Sequence, residues 1–318
     1  MSSWTRATVI RVQRAAHGVL DIELVADKAS PLPEAAAGAH LDVRLPNGLI
    51  RQYSIHRYNA AVNSYSIGVG LSEPSRGGSA FIHERLQAGD VVELGAARNN
   101  FPIKPGASTY LFVAGGIGIT PILSMVRWCD ANNKPWRLLY CVRSRARAAY
   151  IEHLPRSGIV TLHVDDEQAG HPNLHDFIRD AGADDQLYCC GPAPLMDAVR
   201  ATAEHYLPAQ HVHFELFSVA HLCAKPEGEE ASFIIELARS GRELTVPGTS
   251  SVLDVLEQAG VMVPFSCREG LCRTCECSVL DGEVDHRDYV LGDAERDANN
   301  VMLVCVSRAK SKKLTLDL

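Results

Sequence analysis

A chain of 318 residues with 46% hydrophobic content is long enough for two or three cores, and its formal net charge of −7 at neutral pH argues against a nucleic-acid partner. No stretch of about 18 uncharged apolar residues occurs, so no membrane span is expected. Ten cysteines, behind an opening Met1-Ser-Ser-Trp-Thr-Arg with no apolar leader, point to reduced thiols in a cytoplasm rather than a disulfide framework.

Residues 1–103 read as β structure. Ala7-Thr-Val-Ile-Arg-Val, Gly18-Val-Leu-Asp-Ile-Glu-Leu-Val and His40-Leu-Asp-Val-Arg-Leu each alternate apolar with polar residues, the period of half-buried strands. Pro46-Asn47-Gly48 between alternating runs is a hairpin turn. Several short strands separated by turn residues predict an antiparallel barrel. From 104 to 224 the pattern changes to strand–loop–helix units, with strands at Thr109–Ala114, Trp136–Tyr140, Ile159–Val164 and Gln186–Cys190, which predicts a parallel sheet.

Two segments of this middle block carry nucleotide chemistry. Gly115-Gly116-Ile-Gly118-Ile-Thr120-Pro121 follows a strand and opens a helix, so glycine backbone and unpaired helix N–H groups can approach a pyrophosphate. The order is G-G-x-G-x-x-P, not the G-x-G-x-x-G of the Rossmann fingerprint. Cys190-Gly191-Pro192 ends a later strand, where a nicotinamide ring could lie flat; a buried core cysteine is the competing reading. Arg143, Arg145 and Arg147 follow the second strand of the block, at the place of a ribose 2′-phosphate. Asp165 and Asp166 would repel that phosphate and accept from a ribose hydroxyl instead.

Polar Ala224-Lys-Pro-Glu-Gly-Glu-Glu230 is the expected linker to the last block, 225–318. That block opens with a hairpin, Phe233–Leu237 through Ser240-Gly241 to Glu243–Val246, followed by a helix from Val252 to Gln258 capped at Thr249-Ser-Ser and stopped at Gly260. It also holds the acidity. From Pro226 onward 17 Asp and Glu face 10 Lys and Arg, while residues 1–225 balance. Cys267-x4-Cys272-x2-Cys275, with Cys305 at the end of the strand-like Val301–Cys305, is the plant-type spacing for a [2Fe–2S] cluster. A structural zinc site also takes four cysteines, although zinc ribbons usually pair two Cys-x2-Cys knuckles. Cys277 is expected to be a spare core thiol.

In all three blocks and in their order the chain resembles the phthalate dioxygenase reductase family, whose relatives include the reductase components of vanillate O-demethylase and phenoxybenzoate dioxygenase. Arg51-Gln-Tyr53-Ser54 matches the family's flavin-binding R-x-Y-S, Arg76-Gly77-Gly78-Ser79 its phosphate-binding R-G-G-S, and Phe217 an aromatic that contacts the flavin. The resemblance implies an FMN barrel over 1–103, an NAD domain over 104–224 and an α+β ferredoxin (β-grasp) domain over 225–318. It implies FMN held by Arg51, Tyr53, Ser54, Gly68, Val69, Arg76, Gly77, Gly78, Ser79, Thr120 and Phe217. NADH would be held by Gly115, Gly116, Gly118, Arg143, Asp165, Cys190, Gly191 and Pro192. The cluster would be held by Cys267, Cys272, Cys275 and Cys305.

NADH delivers two electrons together and the cluster accepts one, so a flavin between them, able to release electrons singly, completes the count. Cys190 and Thr120 are expected near the hydride path, with Phe217 covering the ring. The implied acceptor is a terminal oxygenase of Rieske type, reached through the acidic last block. The competing readings are a stand-alone diaphorase and a non-enzymatic iron–sulfur sensor. One departure stands out: Arg273 occupies the position after the second ligand where the family has glycine, and a cation there predicts a less reducing cluster.

Overall fold

The computed structural model describes residues 4–72, 75–168, 170–218 and 231–318. The expected linker at 224–230 lies outside the described residues. The chain divides into two compact units, Met1–Phe217 and Ser218–Leu318.

The first unit begins with β1 (Thr5–Ala16), β2 (Val19–Ala26), β3 (His40–Arg44), β4 (Ile50–Asn59), β5 (Ser64–Gly70) and β6 (Val91–Leu94), with α1 (Gly78–Arg85) between the last two. They close into a barrel in the order β1-β2-β5-β4-β3-β6, antiparallel throughout. Alternation fills the interior: Ile22, Leu24, Leu41, Ile55, Ile67 and Leu94 are buried together. The Pro46-Asn47-Gly48 turn joins β3 to β4, with Gly48 at φ 83°.

A parallel sheet completes this unit: β7 (Tyr110–Gly115), β8 (Trp136–Val142), β9 (Ile159–Val164), β10 (Gln186–Cys190) and β11 (Val212–Glu215). Helices α2 (Ile119–Ala131), α3 (Leu174–Ile178) and α4 (Ala193–Ala203) lie in the crossovers. The order is β11-β10-β7-β8-β9. The chain runs outward from β7 to β9 and then returns to place β10 on the other side of β7. Open parallel sheets bind ligands at such a reversal, beyond the carboxyl ends of the strands. Here those ends are Gly115 and Cys190.

The second unit comprises β12 (Phe233–Leu237), β13 (Arg242–Val246), α5 (Val252–Gln258), β14 (Glu276–Asp281), β15 (Val284–Asp285), α6 (Asp293–Ala298), β16 (Val301–Leu303), β17 (Arg308–Ala309) and β18 (Lys313–Leu316). Its main sheet has the order β13-β12-β18-β14-β16, with β15 and β17 as a separate ribbon. Leu253 and Leu256 of α5 pack with Ile235, Leu314 and Met302 in one core. The helix begins as its sequence predicts: Ser251 and Asp254 form a reciprocal capping box. The strand expected over 301–305 ends at Leu303, and Cys305 sits in the turn that follows.

The barrel, the parallel sheet and the α+β unit stand in the order the sequence predicts. Among the described residues, no helix is long and apolar enough to cross a membrane.

Candidate functional site

The first cradle is built on β4, β5 and the start of α1. Arg51 donates to the carbonyls of Ile50 (2.8 Å) and Arg76, which ties β4 to the glycine loop. Gly77 caps α1 at φ 85°, a left-handed conformation that suits glycine. A Cβ at Gly78 would lie 2.5 Å from Arg51 Nε, so only glycine lets the guanidinium lie across this helix start. Ser75 Oγ contacts Ser79 Oγ at 3.1 Å and accepts from Gly77 N at 3.1 Å, holding the loop in shape. Two arginines at a helix N-terminus make a cradle suited to a phosphate.

Tyr53 is half-buried against the barrel core, and burial raises its phenol pKa well above the ordinary value. Ser54 is 5% exposed and its Oγ has no hydrogen-bond partner among the described residues. A buried hydroxyl left without a partner costs roughly 1–3 kcal/mol, so a ring with polar edges beside Ser54 fits this site. Gly68 marks where that ring's floor meets the sheet: a Cβ there would fall 2.6 Å from Thr120 Cγ2 and 2.7 Å from Tyr150 Oη. Val69 turns its side chain into the barrel core, and its carbonyl contacts His83 Nε2 at 3.0 Å. Thr120 is buried in the first turn of α2, donating to Ile117 O at 3.0 Å. Phe217, at the end of the unit, is 41% exposed.

The second site lies at the sheet's reversal point. A cavity of about 570 Å³ is lined by Gly115, Gly116, Arg143, Arg147, Asp165 and Pro192, among others. Gly116 has φ 54° with open space where a Cβ would stand, so its backbone can be approached closely. Gly118, Gly191 and Cys190 do not line this cavity but pack the loops that carry its lining. A Cβ on Gly118 would lie 2.2 Å from Cys190 O, and one on Gly191 would lie 3.0 Å from Gly115 Cα. The two strand-end loops therefore touch backbone to backbone. Arg145 stays outside, bound to both oxygens of Glu167 at 2.9 and 2.5 Å. His17, Leu71, Ser72 and His171 also line the cavity. Nothing in the sequence marks them, since they come from loops with no motif.

His40 and Glu215 went unnoticed as well, although Glu215 lies within the Phe-Glu-Leu-Phe run that pointed to Phe217. His40 is the cross-strand partner of Ser54, and Glu215 is the parallel-strand partner of Cys190. His40 Nδ1 is 3.8 Å from Glu215 Oε1, while His40 Nε2 and Glu215 Oε2 have no partner among the described residues. Burial, reinforced by the Arg98 cation, lowers the His40 pKa to about 3, and burial raises that of Glu215 to about 8. Both are thus neutral near pH 7. Burial, with Glu215 nearby, also pushes the Cys190 thiol well above its ordinary range, so Cys190 is an inert wall and not a nucleophile.

The four predicted ligands all lie in the second unit. The thiols of Cys272 and Cys305 neighbour that of Cys267, and the Cys305 thiol neighbours that of Cys275. The amides of Glu269 and Leu271 donate to Cys267 Sγ at 3.3 and 3.4 Å. The neighbouring thiols first, and then these amides, pull the Cys267 pKa far below the thiol range. Neighbouring thiols under a curled loop that donates N–H groups to sulfur fit a [2Fe–2S] cluster. Cys277 stays apart in β14, opposite Met302, with burial raising its pKa to about 12.

Residues 235–310 match the model of the 2Fe-2S iron-sulfur cluster binding domain, and residues 112–201 that of the oxidoreductase NAD-binding domain. A putative toluene-4-sulfonate monooxygenase system reductase subunit of Comamonas testosteroni is 42% identical over 100% of both chains. Phthalate dioxygenase reductase of Burkholderia cepacia is 37% identical, over 98% of this chain and 97% of its own. The solved structure of phthalate dioxygenase reductase, described as modular for electron transfer from pyridine nucleotides to [2Fe-2S], superimposes with TM-score 0.72 at 36% identity, covering 99% of this chain and 98% of that one. An intact type IV self-sufficient cytochrome P450 monooxygenase gives TM-score 0.87 at 35% identity; the match covers 99% of this chain but 41% of that longer one. With a flavin cradle, an NAD-binding sheet and a [2Fe–2S] unit in series, the chain belongs to the phthalate dioxygenase reductase family, the oxidoreductase components of oxygenase systems.

Proposed function

We propose that this chain carries electrons from NADH through FMN to its [2Fe–2S] cluster and on to a separate terminal oxygenase of Rieske type. The observation that carries the reading is the close approach of Gly68 to Thr120. It sets the strand beside the flavin cradle against the helix whose leading loop lines the nucleotide cavity. Within one unit a nicotinamide and a flavin ring would meet there. The three functional segments are assigned as 1–103, 104–224 and 225–318.

When bound, the flavin supplies the conversion from paired to single electrons. The chain's own residues hold, orient and shield. Arg51 and Arg76, with the Gly77-Gly78-Ser79 amides, would hold the FMN phosphate. Tyr53 would pack against the ring, Ser54 would offer its Oγ to a polar edge, and the backbone of Gly68 and Val69 would line the floor. Gly115, Gly116 and Gly118 would admit the pyrophosphate, Asp165 would accept from the ribose hydroxyl, and Arg143 would flank it. Gly191 and Pro192 would shape the nicotinamide end against buried Cys190. Phe217 would shield the ring. Glu215, protonated at neutral pH, holds a proton on its carboxyl beside His40.

An anaerobic absorbance titration with NADH tests the proposal. Bleaching of a flavin band and a broad iron–sulfur band, with about three electrons taken up per chain, is the expected result. Loss of the flavin band alone would refute the cluster, and no bleaching would refute the nicotinamide site.

A further inference from the structure

Two arginines on the cluster loop share an unusual environment. Arg268 follows Cys267 and Arg273 follows Cys272, and both adopt left-handed backbone, at φ 58° and 59°. Each is gripped by two carboxylates. Arg268 reaches Asp254 at 2.9 Å and Glu257 at 2.5 Å. Arg273 reaches Glu276 at 2.7 Å through Nε and Glu295 at 2.7 Å through Nη2. Left-handed backbone explains why glycine is the ordinary residue at 273. The guanidinium here spans from the cluster loop to β14 and to α6, replacing conformational freedom with two ion pairs.

The charges change what position 273 does. Glu276 is the chain neighbour of the ligand Cys275, and Arg273 that of Cys272. Glu295 is held ionised by the guanidinium and by the Gly292 amide, which both lower its pKa. One cation with two carboxylates leaves a net charge of −1 beside the ligands, where the sequence alone suggested +1. Nearby negative charge disfavours adding an electron to an anionic cluster.

We infer that Arg273, Glu276 and Glu295 form a charge-compensated clasp that keeps the cluster reducing, with the two carboxylates outweighing the arginine. These are positioning residues, since none is among the four thiolates, and the inference rests on the assignment of Cys267, Cys272, Cys275 and Cys305 as ligands.

The test is an EPR-monitored redox titration of the full-length holoprotein, with the [2Fe–2S] absorbance confirming cluster loading in each variant. Glu276→Gln and Glu295→Gln should each move the midpoint to less negative values, and Arg273→Gly should move it to more negative ones. The double variant Arg273→Gly/Glu295→Gln restores the clasp's net charge and should return toward the wild-type midpoint. If both Gln variants titrate as wild type, or the double variant lies no nearer to wild type than Arg273→Gly, the clasp is overturned. Should Arg273→Gly fail to load its cluster, the two Gln variants decide alone. Wild-type protein that gives no [2Fe–2S] signal on reduction would instead refute the ligand assignment, and the clasp with it.

Discussion

His40 is buried and Glu215 lies mostly covered beside it, and desolvation acts on them in opposite senses: the acid keeps its proton and the imidazole stays without one. The folded Glu215 has a pKa near 8 against an ordinary 4.5, so folding binds a proton that the unfolded chain releases. Stability from this group is complete below pH 4.5 and is lost as pH rises toward 8, at up to about 1.4 kcal/mol per pH unit. His40, lowered from 6.5 to about 3, costs stability only as pH falls below 6.5. Between pH 6.5 and 8 the Glu215 effect is therefore free of the histidine. Glu215→Gln should abolish the wild-type loss of urea stability across that window; parallel curves would mean the carboxyl is already ionised. Neither residue was legible in the sequence, because each sits inside an ordinary strand pattern. Their pairing depends on β3 of the barrel meeting β11 of the sheet. Arg51, Tyr53 and Ser54 stood out in the sequence only through their match to the family's R-x-Y-S, because an arginine, a tyrosine and a serine in one strand are by themselves ordinary.

At the level of elements, strands and caps follow local pattern closely, while loop contacts do not. Alternation placed β1 to β3, and Ser251 capped α5 as expected. The expected strand through Cys305 stops two residues short, and the chain turns at 304–306 instead. The packing of the β7–α2 loop on the Cys190–Pro192 loop was not legible either, since a glycine looks the same whether it serves a turn or a contact. Gly118→Ala tests that contact. Its methyl would press on Cys190 O at 2.2 Å, and backbone cannot swing aside as a side chain can. The variant should bind NADH at least tenfold more weakly, corresponding to about 1.4 kcal/mol or more, with its [2Fe–2S] absorbance intact. Gly116→Ala meets no atom within 4 Å but holds φ 54°, so it should act through backbone strain alone and lose less.

Across the whole molecule, charge is divided unevenly: residues 1–225 balance, and those from Pro226 onward carry the net −7. An acidic electron-donating end should steer a basic partner, so the second-order rate of reduction of a purified oxygenase should fall steeply between 50 and 300 mM salt, while NADH-driven flavin reduction changes little. A salt-independent rate would remove electrostatic steering from the encounter. Block order and fold class were readable because each is written in contiguous sequence; the cavity was not, because its walls are gathered from the barrel rim and four sheet loops. The glycine contacts at the sheet's reversal point also bear on how such a reductase can diversify. Gly115, Gly118 and Gly191 leave no room for a side chain, which freezes the end of the cavity where the nicotinamide would sit. Arg143, Arg147 and Asp165 line it from the loops after β8 and β9, free of those contacts. Preference between phosphorylated and unphosphorylated dinucleotides can therefore drift, or be redesigned, at one end of the site while the geometry of electron entry at the other is inherited unchanged.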